Sequence, residues 1–341
     1  MLKIFFYLLF FSFVSMALFI VFLSNNKKNK NFFPINVFNT ENNSFSKVGN
    51  INAVPFKTTA MPTTSGTLTP CPDFPPYLQG VLQVQFNTKR TLEDVQHHVG
   101  SFLKQGGRYK PSNCTAQQKV AIIIPFRNRH EHLNHWLYYL HPILIRQQLD
   151  YGVYVINQEG DDAFNRAKLM NIGHTEALKQ YDYDCFVFSD IDLIPLDDRN
   201  LYRCSDKPRH LSVAVDKFNF KLPYATIFGG VSALSKEQFL KVNGFSNTFW
   251  GWGGEDDDLY QRISLRGMSI SRPNSAIGRY KMIRHNRDAH NERNPNNVQK
   301  LRETHLNIDT DGLNSLRYTV REIRKDILFT FITVDVQAPT V

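Results

Sequence analysis

The amino-acid sequence predicts an α/β domain with a central, mostly parallel sheet. Three observations predict it. Lys119 to Pro125 (Lys-Val-Ala-Ile-Ile-Ile-Pro) and Cys185 to Ser189 (Cys-Phe-Val-Phe-Ser) are apolar runs of strand length without polar alternation, as strands buried on both faces require. Segments with helical spacing of apolar residues separate such runs, giving a β-α-β-α-β order that suits parallel strands joined by right-handed crossovers. Polar stretches follow each run, at the carboxyl ends where open sheets of this kind hold ligands.

Ahead of that domain the chain changes character. Ile4 to Leu23 carries no charge and is broken only by Ser12 and Ser15. Twenty helical residues cover roughly 30 Å, the thickness of a bilayer core. Phe22-Leu23-Ser24-Asn25-Asn26 is a poor cleavage site, so the expectation is an uncleaved signal anchor over 4–23 behind a cytoplasmic tail of residues 1–3. Residues 24–70 are rich in Asn, Ser, Thr and Pro without sustained periodicity, which predicts a flexible stem. The folded domain is expected over 71–341.

Orientation draws on opposed signals. Lys27, Lys28 and Lys30 after the span outweigh Lys3 before it, which by charge alone favours a cytosolic C-terminus. Four cysteines (Cys71, Cys114, Cys185 and Cys204) suit two disulfides in an oxidising compartment. Two N-glycosylation sequons begin at Asn42 and Asn113. We read a lumenal domain. The formal charge of +9 suits anionic ligands such as nucleotide phosphates, as well as a membrane surface. No Lys/Arg run with interleaved aromatics points to nucleic acid.

Within the domain, His130 to Gln148 places Leu133, Trp136, Leu137, Leu140 and Leu144 at helical spacing. Tyr151 to Asn157 reads as a second strand and Asn165 to Tyr181 as a second helix. Leu211 to Val215 and Thr226 to Leu234 are further strand candidates. Glu255 to Leu265 reads as a short helix whose acidic first turn complements its dipole. Residues 283–303 are polar and aperiodic, which predicts a long mobile loop of the kind that serves as a lid.

Several stretches carry chemistry. Asp190-Ile191-Asp192 follows the third strand, and alternation aims both carboxylates the same way, one for a divalent cation and the other for a ribose or a second water shell. Arg127 and Arg129 suit phosphate or a base, and Phe164-Asn165-Arg166 opens a helix beside them. Phe249 to Asp258 sets two tryptophans among glycines before four successive carboxylates, a sugar platform with a base at its edge. Met282-Ile283-Arg284-His285 ends in a candidate metal ligand. The bland readings are a turn for the D-x-D, solvated arginines and a charged helix start.

Taken with Ile124 to Arg129, Phe164 to Lys168, Phe188 to Leu193 and Phe228 to Leu234, these motifs resemble the β-1,4-galactosyltransferase family, glycosyltransferase family 7, from about Cys114 onward. The resemblance implies a type II Golgi membrane enzyme with a GT-A-type nucleotide-sugar-binding fold. It implies that Pro125, Phe126, Arg127, Asn128 and Arg129, with Phe164, Asn165 and Arg166, form the uridine and phosphate pocket of a UDP-sugar donor. Asp190, Ile191 and Asp192 would face the nucleotide sugar. Asp192, Met282 and His285 would hold Mn2+. Trp252 would contact donor sugar and phosphate. Gly254, Glu255, Asp256, Asp257 and Asn297 would bind a terminal GlcNAc acceptor, with Asp256 the catalytic base. Residues 283–303 would close over the donor. The family pairing implies disulfides Cys71–Cys114 and Cys185–Cys204, one of three connectivities that four cysteines allow.

Two departures bear on specificity. Galactose-transferring members carry a tyrosine where this chain has Ile227. Invertebrate relatives with Ile or Leu there resemble β-1,4-N-acetylgalactosaminyltransferases. Asn297-Val298 replaces an Arg-Phe pair of the lactose-synthase member, so no lactalbumin-like subunit is expected. The expected activity is inverting transfer of GalNAc from UDP-GalNAc to the 4-OH of GlcNAc, with galactose transfer the alternative. A non-catalytic, lectin-like protein on the same fold is disfavoured because Asp192, His285 and Asp256 are all present.

Overall fold

The computed structural model describes residues 68–339 apart from 287. The apolar segment 4–23, nearly all of the stem and the Asn42 sequon lie outside the described residues. Among those described, no helix is long and apolar enough to cross a membrane.

A short helix, α1 (Leu92–Val99), opens the domain behind a Thr91 capping box. Then come β1 (Lys119–Phe126), α2 (His130–Arg146), β2 (Asp150–Gln158), α3 (Arg166–Gln180) and β3 (Cys185–Ser189). The five expected elements are present, with boundaries shifted by a residue or two. β1 runs parallel to both β2 and β3, pairing Lys119 with Asp150 and Val120 with Cys185. Alternation along β1 divides its side chains between two cores. Val120, Ile122 and Ile124 join Trp136, Leu137 and Leu140 of α2, while Ala121 and Ile123 join Leu169, Met170 and Ile172 of α3. Strands covered on both faces need no polar side, which is why their sequences read as unbroken apolar runs.

The chain continues through β4 (Leu193–Pro195), β5 (Arg209–His210), β6 (Ala214–Val215), β7 (Val231–Ser235) and α4 (Lys236–Lys241). After α5 (Glu255–Leu265) and β8 (Arg279–Met282) come α6 (Asn296–Arg302) and α7 (Thr304–Asn307). A hairpin of β9 (Thr319–Lys325) and β10 (Thr330–Asp335) ends it. The main sheet has seven strands in the order β5-β7-β3-β1-β2-β10-β9, and β4-β8-β6 form a smaller sheet. β10 is parallel to β2, whereas β5, β7 and β9 pair antiparallel at the flanks.

Both expected disulfides are formed, Cys71–Cys114 and Cys185–Cys204. The second ties the start of β3 to the connection before β5. Asn113 is exposed beside Cys114.

Three expectations need correction. The candidate strand 226–234 begins only at Val231, because Gly230 sits at φ +80° and turns the chain out of the extended region. The candidate strand 211–215 reduces to Ala214–Val215, paired with β8. Residues 283–303 are not loop throughout, since their last third forms α6, which supplies Asn297 and Val298.

Candidate active site

The carboxyl ends of β1 and β3 open onto a cleft of about 880 Å³. Its wall includes Pro125, Arg127, Arg129, Phe164, Arg166, Asp190, Ile191 and Asp192. Ile227, Trp252, Gly254, Glu255, Asp256, Asp257, Met282, His285 and Asn297 complete the expected residues that line it. Three expected residues do not. Phe126 is buried against the rings of His130 and Phe331. Asn165 is fully buried as the N-cap of α3, accepting from the Lys168 amide and donating to the Asn247 carbonyl. Asn128 sits outside the lining at φ 53°, turning the chain from β1 into α2.

The four carboxylates that open α5 divide sharply. Glu255 receives Arg166 Nη1 at 3.3 Å. Asp257 accepts from the Tyr224 hydroxyl at 3.0 Å. Asp258 turns into the core, where Arg262 Nε donates at 2.6 Å and Thr304 Oγ1 at 2.7 Å. Asp256 lines the cleft beside Glu255 and Asp257 but, unlike them, has no side-chain hydrogen-bond partner among the described residues. Burial pushes its carboxyl up to about 6, and the neighbouring Glu255 charge adds to the rise, while Arg166 and backbone amides at the helix start oppose it.

Arg166 joins the two halves of the site. Its Nε donates to Asp190 at 2.6 Å, so the end of β3 and the start of α5 share one guanidinium. Glu255 Oε2 and Asn297 Oδ1 are buried at the cleft wall without hydrogen-bond partners among the described residues. The Asn297 amide is meanwhile held, donating to the Gly253 carbonyl at 2.8 Å. Two acceptors left open in this way suit a ligand rich in hydroxyl groups.

Pairing of Leu193 with Met282 in the small sheet brings the D-x-D beside the Met-x-x-His segment. The Ile283 amide donates to the Asp192 carbonyl at 2.8 Å. His285 Nε2 lies 3.1 Å from Asp192 Oδ2, and this contact holds the imidazole pKa above its usual value. Asp192, Met282 and His285 thus converge on one cleft as an oxygen, sulfur and nitrogen set. No cluster of three His, Cys, Asp or Glu forms a metal site among the described residues, so any ion here would depend on the thioether.

The tryptophan loop is stapled to the segment after His285. The Trp252 amide donates to the Glu292 carbonyl at 2.9 Å, and the Phe164 amide to the His290 carbonyl at 2.8 Å. Arg127 and Arg129 reach across to the same segment, Arg127 donating to the Ala289 carbonyl and Arg129 to Asp288 and the Asn286 carbonyl.

Sequence reasoning missed Tyr224 and Lys217, both of which line the cleft. Each stands alone in a polar or irregular stretch, and only the fold brings them to one place.

The protein-family description "N-terminal region of glycosyl transferase group 7" matches residues 71–205, and "N-terminal domain of galactosyltransferase" matches residues 209–286. The chain is 58% identical over 277 residues to beta-1,4-galactosyltransferase 2 of Cricetulus griseus, covering 81% of this chain and 75% of that protein. It is 59% identical over 278 residues to beta-1,4-galactosyltransferase 1 of Bos taurus, covering 82% and 69%. Among solved structures, the catalytic domain of Drosophila beta1,4galactosyltransferase 7 with xylobiose superposes with a TM-score of 0.58 at 28% identity, covering 65% of this chain and 95% of that one. A mutant of the same Drosophila enzyme was solved with manganese, UDP-Gal and xylobiose.

Proposed function

Because the chain belongs to glycosyl transferase group 7, we propose that it moves a hexose from a UDP-sugar to the 4-OH of a terminal GlcNAc, with inversion at the anomeric carbon. The observation that carries this reading is the division of the α5 carboxylates, which leaves Asp256 as the cleft-lining carboxylate of that turn without a side-chain hydrogen-bond partner among the described residues.

In this mechanism Asp256 accepts the proton of the acceptor 4-OH as that oxygen attacks C1 of the donor sugar. The bond from C1 to the diphosphate oxygen breaks, and UDP leaves with the electron pair. Glu255, Asp257 and Asn297 orient the acceptor through its other hydroxyls. Arg127, Arg129, Phe164 and Trp252 hold the nucleotide, and the stapled 283–303 segment excludes water that would hydrolyse the donor. Asp192, Met282 and His285 are the residues suited to hold manganese, whose bound charge would neutralise the departing diphosphate.

For the donor we propose GalNAc. Ile227 lines the cleft, is smaller than tyrosine and offers an apolar surface to an acetyl methyl. Galactose is the second reading, favoured by the names of the relatives. Purified protein with GlcNAc, manganese and either UDP-GalNAc or UDP-Gal separates them. Faster turnover of UDP-Gal would remove the GalNAc reading. No UDP release from either donor would remove the transferase reading for this chain.

The setting belongs to the same proposal: a type II Golgi membrane protein anchored by 4–23, with the catalytic domain lumenal and glycans at Asn42 and Asn113. Protease treatment of intact vesicles should spare the domain. The lack of an Arg-Phe pair at 297–298 predicts that a lactalbumin-like subunit leaves acceptor choice unchanged.

A further inference from the structure

The segment between β6 and β7 that carries Ile227 has no neighbouring strand over residues 225–229. Three of its carbonyls nevertheless have partners, and the partners are side chains. Arg272 Nη2 donates to the Ala225 carbonyl at 2.8 Å and to the Ile227 carbonyl at 2.8 Å. His210 Nε2 lies 2.9 Å from the Gly229 carbonyl. One nitrogen reaches both the Ala225 and the Ile227 carbonyls, so these oxygens lie closer together than alternate carbonyls of an extended strand, in keeping with the turn closed by the Ile227 amide on the Tyr224 carbonyl at 3.4 Å.

The two side chains are joined. Arg272 Nε lies 3.1 Å from His210 Nδ1. An arginine only donates, so Nδ1 must be the acceptor, and the imidazole proton then sits on Nε2, aimed at the Gly229 carbonyl. Every contact is satisfied by one neutral tautomer. Burial and the adjacent guanidinium keep the ring neutral, lowering its pKa to about 3. Both residues are placed by the sheet. His210 lies on β5, opposite Ser232 of β7, and Arg272 directly follows Ser271, which bridges to Arg209.

The clamped segment touches both chemical halves of the cleft. Ile227 faces the proposed donor sugar. A Cβ on Gly229 would fall 2.5 Å from Asp256 Oδ2, so this backbone lies directly against the proposed base.

We infer that Arg272 and His210 form a side-chain clamp that fixes the 225–229 wall, and that donor-sugar discrimination depends on this pair as well as on Ile227. They are positioning residues, since their contacts run to backbone carbonyls of the wall. The inference rests on the reading that Ile227 lies against the donor sugar, and it extends that reading from one side chain to the backbone that presents it.

The test measures kcat/KM for UDP-GalNAc and UDP-Gal with GlcNAc and manganese, in wild type, Arg272→Lys, His210→Phe, the double variant and Ile227→Tyr. Lysine keeps the charge but cannot reach two carbonyls and an imidazole together. Discrimination between the donors, whichever is preferred, should fall toward unity by about tenfold in Arg272→Lys, the scale on which a single pocket contact decides between substrates. His210→Phe should do the same, and the double variant should fall no further than the larger single effect, because the pair acts as one unit. Equal loss for both donors, an unchanged ratio, or multiplied effects in the double variant would overturn the inference while leaving Ile227 in its role. An unchanged ratio in Ile227→Tyr would instead remove the reading beneath it, and the inference with it. Should His210→Phe fail to fold, Arg272→Gln, at a part-exposed position, reads the same ratio and decides on the same criterion.

Discussion

Asp256 differs from its neighbours by what it lacks. Asp258, two positions on, has two close donors and a place in the core. Asp256 has no side-chain donor among the described residues and lines the cleft instead, where its burial raises its carboxyl to about 6. Asp256→Asn is therefore expected to lower transfer by about 10²–10⁴-fold, the usual contribution of a positioned base, with UDP affinity measured by calorimetry nearly unchanged. The sign of the pH dependence follows. The base works only when ionised, so kcat/KM should climb with pH through an acid limb centred near 6 and level off above it. A profile flat down to pH 5 would remove Asp256 from the role. Gly229 supplies a second residue-scale prediction. Its missing Cβ leaves room for the Asp256 carboxylate, and a methyl at 2.5 Å must displace it. Gly229→Ala should lower transfer at least tenfold, an effect to be separated from stability by comparing melting temperatures.

At the scale of elements, α5 carries the proposed acceptor side of the cleft and is itself held from behind. The Asp258–Arg262 pair is almost wholly buried, at 2% and 1% side-chain exposure, and Thr304 at the start of α7 completes it. Removing one partner strands the other charge in the core. Asp258→Ala should cost about 3–5 kcal/mol of unfolding free energy in urea titration, leaving the ratio of donor to acceptor KM near wild type in the folded fraction. Asp256→Asn should do the opposite, losing transfer and keeping stability, so neighbouring carboxylates in one helical turn separate by experiment. The sequence announced α5 and its acidic turn but not this division. Charge alone does not say which carboxylate points inward; that depends on Arg262 one turn later and on Thr304, forty-six residues away. The same limit explains the misjudged strand at 226–230, where the chain turns on the Ile227 amide to Tyr224 carbonyl contact and side chains from β5 and from Arg272, rather than a neighbouring strand, hold its carbonyls.

For the whole molecule, what the sequence made legible was whatever one stretch could state by itself. The unbroken apolar runs of β1 and β3 marked the centre of the sheet, and the D-x-D and tryptophan motifs marked the ends that carry the cleft. The β9–β10 hairpin, which extends the sheet past β2, went unread although Thr330 to Val334 is rich in the β-branched and aromatic residues that favour strands. The histidines show a further property visible only in three dimensions. His141, His174 and His210 are buried and neutral, their pKa values lowered by burial to about 4, 3 and 3. In the unfolded chain a histidine titrates near 6.5. Between those values the unfolded state binds more protons than the folded state, so this contribution to stability is intact above pH 6.5 and declines as pH falls. The raised carboxyls of Glu255 and Asp256 act in the opposite direction, so total stability against pH blends both trends. A difference measurement isolates one group. His174 suits it, since neither ring nitrogen has a hydrogen-bond partner among the described residues and its ring packs between Phe186 and Phe239. His174→Leu removes two unsatisfied polar atoms from an apolar setting. Its melting temperature should match or exceed wild type at pH 7.5, and its advantage should widen steadily as pH drops from 6.5 to 4. An advantage that stays constant across that range would show that His174 does not titrate on unfolding, and that the acid sensitivity of this fold lies elsewhere.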